Sequence, residues 1–113
     1  MCSPSQLNQL LSEVFLYAQE CFGSSLDAVI LYGSYARGDA DEESDIDIML
    51  LVKQSNEQLA EQRKTWDRFG TDLDLKYNVF TSFKLQDAET FYSWLDVLPF
   101  FRNVADEGVR ISA

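Results

Sequence analysis

Histidine is absent from this 113-residue sequence. That excludes Ser-His and Cys-His nucleophilic systems and any His-ligated metal. Acid–base chemistry falls to carboxylates, lysine, tyrosine or water, and a metal held by side chains would be a hard cation on oxygen ligands. Cysteine is scarce. Cys2 and Cys21 form no CxxC pair and no zinc cluster, which predicts two free thiols in a reducing compartment. No apolar run is long enough to span a bilayer. The opening MCSPSQLNQL has neither the basic start nor the apolar stretch of a signal peptide. These absences predict a cytoplasmic protein. Basic residues are in deficit, with nine Lys and Arg against nineteen Asp and Glu, for a net charge of −10. Such a chain repels phosphate backbones, so direct nucleic-acid binding is not expected, whereas a basic partner surface would suit it. Internal repeats, low-complexity tracts and Pro/Gly/Ser linkers are also missing.

What is present is an ordinary globular composition, 46% apolar and 25% charged, which predicts one domain over residues 1–113. Ser3 to Phe22 reads as a helix. Ser3 and Gln6 make a capping box, Pro4 stands in the first turn, apolar residues recur at helical spacing and Gly23 stops it. Leu26 to Gly33 is a β-branched apolar run that predicts a buried strand. Asp45 to Val52 begins by alternating and then becomes wholly apolar, a strand with one polar end. Ser55 to Phe69 reads as a second capped helix, with Gly70 as its stop. Thr71 to Phe80 alternates strictly and predicts a third strand. Gln86 to Val104 reads as one or two short helices broken at Pro99, followed by an extended tail near Val109 to Ile111. This order predicts an α/β (α+β) fold, a small mixed sheet flanked by helices.

Three stretches carry the chemistry. Gly33-Ser34 follows the first strand directly, where glycine permits a sharp turn and close approach to a ligand. Exposed N–H groups at a helix start, together with the Ser34 hydroxyl, make an anion site suited to a triphosphate, and Arg37 could add charge to it. The turn is neither a Walker P-loop nor a nucleophile elbow. Asp45 and Asp47 lie two apart on a strand and so point to one face, with Cα atoms roughly 6.5 Å apart. Paired carboxylates repel unless a cation sits between them. Mg²⁺ suits such a pair with substrate phosphates, and two ions about 3.5–4 Å apart could share it. On the predicted third strand, Asp72, Asp74 and Lys76 share a face. Asp74, deeper in that strand, is the choice for a third carboxylate that binds metal and helps deprotonate an acceptor. Asp72 is the alternative, and Lys76 reads as a solvated lysine. The acidic run Asp39 to Glu43 reads as a solvated loop.

Gly33-Ser34, then the ten residues Tyr35 to Ser44, then Asp45-Ile46-Asp47 resembles the DNA polymerase β-like nucleotidyltransferase superfamily. The whole stretch GSYARGDADEESDIDIMLLV, with the tail PFFRNVADEGVRI, is similar to the minimal nucleotidyltransferase (MNT) group, the antitoxins of MNT/HEPN toxin–antitoxin pairs. The resemblance implies a polymerase β palm-like fold with Ser34 on the β/γ-phosphates of ATP, Asp45 and Asp47 on Mg²⁺, and Asp74 as the third carboxylate. It also implies transfer of AMP to a tyrosine of a HEPN-domain ribonuclease toxin. Two other readings compete with this one. The first is a module that neutralises a toxin by contact alone. The second is a nucleotidyltransferase acting on a small hydroxylated molecule.

Overall fold

The structure is a computed structural model that describes residues 2–112. Helix α1 (Pro4–Phe22) starts with both bonds of its capping box. The Ser3 hydroxyl accepts from the Gln6 N–H, and the Gln6 side chain accepts from the Ser3 N–H. A short 3₁₀ turn, Gly23–Ser25, leads into β1 (Leu26–Tyr32). Next come the four-residue α2 (Ser34–Arg37), β2 (Ile46–Val52) and α3 (Asn56–Tyr77). The chain ends with β3 (Thr81–Asp87), α4 (Ala88–Ser93), α5 (Pro99–Glu107) and β4 (Val109–Arg110). No helix among the described residues is long and apolar enough to cross a membrane. Cys2 and Cys21 are free thiols.

The strands form one mixed sheet in the order β3-β2-β1-β4. β1 pairs antiparallel with β2 and with β4, whereas β2 and β3 are parallel and joined by α3 as a β-α-β crossover. Helices cover both faces, and this explains why β2 loses its alternation. Ile46, Ile48, Leu50 and Val52 pack with α1 and α3, while Met49 and Leu51 pack with α4 and α5. Trp66 of α3 lies at the centre of the first layer, 1% exposed. The rings of Tyr17 (4.9 Å between centroids), Phe83 (5.2 Å), Phe69 (5.4 Å) and Phe22 (6.0 Å) surround it.

The expected third strand at Thr71–Phe80 is not a strand. α3 runs through Gly70 and ends only at Tyr77, and β3 begins at Thr81. The segment TDLDLKYNVF satisfies both periods locally. The helical one prevails because Leu59, Trp66, Gly70 and Leu73 form one buried stripe along α3. Leu75 and Phe80 face water, 79% and 71% exposed, while Tyr77 and Val79 pack at the edge of the core. Gly70 acts as a spacer and not as a stop. A Cβ there would lie 3.1 Å from Thr81 Oγ1 and 3.2 Å from Phe83 Cε2, so its absence lets helix and strand approach closely. The helix stops at Asn78, which takes the left-handed conformation (φ 55°, ψ 53°) and donates its N–H to the Asp74 carbonyl.

This correction relocates Asp74. It sits in the last turn of α3, where Oδ1 accepts from both the N–H and the hydroxyl of Thr81, each at 2.8 Å. It therefore anchors the start of β3 in the α1/α3 layer, and Asp72 lies on the same helix. We expect Asp74→Ala to cost about 1–3 kcal/mol, because the partly buried Thr81 N–H loses its acceptor. Urea denaturation measures this, and a loss below about 0.5 kcal/mol would contradict the anchoring role.

Candidate active site

β1 ends at Tyr32, and Gly33 turns the chain into α2 with φ 73° and ψ −156°, a conformation that suits glycine. The turn is closed by the Ala36 and Arg37 N–H groups on the Gly33 carbonyl (3.1 Å each) and by Gly38 N–H on the Ser34 carbonyl (3.0 Å). Asp47 is the Cα partner of Tyr32 across the antiparallel pair and of Ser82 across the parallel pair. Its carboxylate lies against the Gly33 backbone. A Cβ on Gly33 would come within 3.3 Å of Asp47 Cγ and would strike Oδ2. The glycine is thus needed for its φ and for the space that the carboxylate occupies.

Tyr32, Gly33, Ser34, Arg37 and Asp47 share a cleft of about 380 Å³ with Phe100, Asn103, Val104 and Glu107 of α5. Asp45, exposed just ahead of β2, shares the strand parity of Asp47. Burial, and then the charge of Asp45, push the Asp47 carboxyl above the usual carboxylate range, with Arg37 opposing. Burial, followed by the Asp47 charge, also pushes the Tyr32 phenol up. Arg37 bonds to Asp39 at 3.3 Å and to Glu107 at 3.5 Å, both exposed ion pairs that a phosphate could displace. A larger open groove of about 910 Å³ near Glu13, Lys76 and Tyr77 has no such pairing of glycine turn and carboxylates.

Gly33, Ser34, Arg37 and Asp47 are therefore brought together as expected, with Asp45 beside them, whereas Asp74 is not. Ile46 and its partner Thr81 face the α1/α3 layer, as does the Asp74 carboxylate bound to Thr81, and Asp47 belongs to the opposite face with Met49. No group of three or more acidic or cysteine side chains suited to a metal forms among the described residues. The residues present still fit a hard cation. The charge of Asp45 raises the cost of ionising Asp47, and a serine hydroxyl lines the same cleft, so the donors are all oxygen. Sequence reasoning missed the α5 wall and the neighbours of Asp47 on β3, Ser82 and Lys84. The strand alternation of TSFKLQD was the available signal, but it was hidden by the misplaced strand before it.

Comparison with known proteins gives a consistent picture. "Putative protein adenylyltransferase MJ0141" of Methanocaldococcus jannaschii is 49% identical over 57 residues, 50% of this chain and 56% of that protein. "Putative protein adenylyltransferase MJ0604" of the same organism is 38% identical over 80 residues, 71% of this chain and 72% of that protein. The chain thus matches little more than half the length of the first of these relatives. Among solved structures, a chain of a toxin–antitoxin crystal structure with AMP-PNP superposes with a TM-score of 0.55 at 18% identity, over 88% of this chain and 70% of that one. A chain of an MntA–HpeT toxin–antitoxin crystal structure gives the same TM-score at 16% identity and the same coverage of both chains. These two establish likeness of fold. The family of the nucleotidyltransferase domain matches residues 12–100, a span holding the Gly33-Ser34 turn, the Asp45/Asp47 pair and the whole β-α-β unit, so the chain belongs to the nucleotidyltransferase domain family.

Proposed function

We propose that this chain is a Mg²⁺-dependent protein adenylyltransferase of the cytoplasm, the antitoxin that transfers AMP from ATP to a tyrosine of a HEPN-domain ribonuclease toxin. The observation that carries this reading is the Asp47 carboxylate set against the Gly33 turn, with Asp45 beside it and Ser34 in the same cleft. The names of the relatives, and the toxin–antitoxin likeness with AMP-PNP, support the substrate and the partner class.

In this reading the Ser34 hydroxyl and the Gly33 turn hold the β- and γ-phosphates. Arg37 exchanges its two surface carboxylates for phosphate oxygen. Asp45 and Asp47 hold the Mg²⁺, which when bound neutralises charge on the phosphates. The tyrosine oxygen attacks the α-phosphorus, the bond to pyrophosphate breaks and the phenol proton passes to solvent. Asp74 takes no part. Strand-borne carboxylates give the fixed placement that such electrostatic catalysis requires.

The test is to incubate the protein with ATP labelled on the α-phosphate, Mg²⁺ and a HEPN-domain toxin. Label should appear on a toxin tyrosine, and an Asp45→Asn/Asp47→Asn variant should give none. Absence of label, or equal label from the variant, would overturn the reading. The contact-only reading is favoured by one observation, the gathering of two and not three carboxylates. Stoichiometric protection by the double variant would establish it.

A further inference from the structure

We propose, building on the nucleotidyltransferase reading, that Lys84 stands where a third carboxylate would complete a metal-binding trio. Its ammonium binds the nucleotide phosphates, and Asp45 and Asp47 hold a single divalent ion. The argument starts from strand parity. Thr81, Phe83 and Leu85 of β3 turn toward α1 and α3, which leaves Ser82, Lys84 and Gln86 on the face of Asp47. In register, Ser82 is opposite Asp47 and Lys84 opposite Met49, so the Cα of Lys84 is about 8 Å from that of Asp47 by strand spacing and rise. Any side chain that β3 lends to the site is Ser82 or Lys84, and neither is acidic.

The ammonium is directed toward the cleft. Lys84 Nζ lies 5.5 Å from the centroid of the Phe100 ring, and Phe100 meets Tyr32 edge-on at 5.7 Å. Both aromatics line the cleft with Asp47. The electrostatic setting favours a further cation there, because Asp45 repels Asp47 and, among the described residues, Arg37 is the one cation opposing that repulsion. A fixed ammonium beside one divalent ion neutralises a triphosphate as a second ion would, without requiring a third acidic ligand. β3 is an edge strand, and a lysine on an edge also discourages pairing with another chain. That role has no dependence on nucleotide, so binding measurements separate the two.

The experiment uses AMP-PNP as the non-hydrolysable probe, by calorimetry with Mg²⁺ and again in EDTA, on the wild type and Lys84→Met. Lys84 is exposed, so the melting temperature should not change. The variant should bind AMP-PNP about ten-fold more weakly, the size of one charge-assisted phosphate contact, both with and without metal. Mn²⁺ titration of the wild-type AMP-PNP complex, read by electron paramagnetic resonance, should count one ion per chain. Unchanged affinity in Lys84→Met, or two Mn²⁺ ions in the wild type, would overturn this inference and leave the enzyme reading intact. Failure of the wild type to bind AMP-PNP at all would overturn both.

Discussion

Asp47→Asn is expected to lower nucleotidyl transfer by about 10²–10³-fold or more while making the metal-free protein slightly more stable. The two effects share one cause. Asp47 is held half-buried beside a second carboxylate, so its ionised form is disfavoured in the fold. At neutral pH the asparagine removes that cost, for a gain of about 0.5 kcal/mol once solvent screening at a partly exposed site is allowed for. The sign with pH follows from linkage. A carboxyl raised in the folded state contributes stability when protonated, fully present below its unfolded value and lost as pH rises through its folded value. The advantage of Asp47→Asn over the wild type should therefore be largest near pH 7 and should vanish as the solution is acidified through the raised Asp47 value. Saturating Mg²⁺ and AMP-PNP reverse the order. They stabilise the wild type by about 2.7 kcal/mol at a hundred times the dissociation constant, and the variant hardly at all. Thermal melts at pH 7 and in mild acid, with and without ligand, measure all of this. A variant less stable than the wild type at pH 7 without ligand would show that Asp47 is a structural residue.

Trp66→Ala should cost about 3–5 kcal/mol, a large share of the roughly 5–15 kcal/mol that holds such a chain folded. The indole is shared by α1, α3 and β3 through Tyr17, Phe22, Phe69 and Phe83, so its removal opens a cavity where three elements meet. Trp66→Phe should cost far less than the loss of volume suggests. The buried Nε1–H has no hydrogen-bond partner among the described residues, and an unpaired buried donor carries a penalty of about 1–3 kcal/mol that phenylalanine removes. Urea midpoints of the two variants decide this. Equal losses for alanine and phenylalanine would mean that the indole N–H has a partner after all, such as an ordered water.

The elements legible in the sequence were those with a signal at each end. Both capping boxes formed as read, Pro99 opened α5 where the chain was expected to break, and the apolar runs from Leu26 and Ile46 became β1 and β2. The Gly33-Ser34 turn and the Asp45/Asp47 pair were legible because they are local, fixed by strand parity and one glycine. The boundary between α3 and β3 was not. Gly70 looked like a stop, yet the close approach of Thr81 and Phe83 that makes a glycine necessary there is visible only in three dimensions. With that strand misplaced, an aspartate from a helix end was assigned to the site, and Lys84, ten residues later, was overlooked. The Phe100 wall was out of reach for another reason, since it depends on α5 folding back over β1.

β2 is buried along both faces, and Asp47 grows from its first turn of pleat. The backbone that carries it is paired with a strand on each side, so the amides of β2 should exchange with deuterium only when the whole molecule unfolds. α5 is nine residues long, and its Phe100 is 43% exposed. One wall of the cleft is thus the strand end that carries Asp47, and the other is α5, whose Phe101 and Val104 are sunk in the core while Phe100 stands at the rim, so a bound molecule meets two walls that the fold has already fixed.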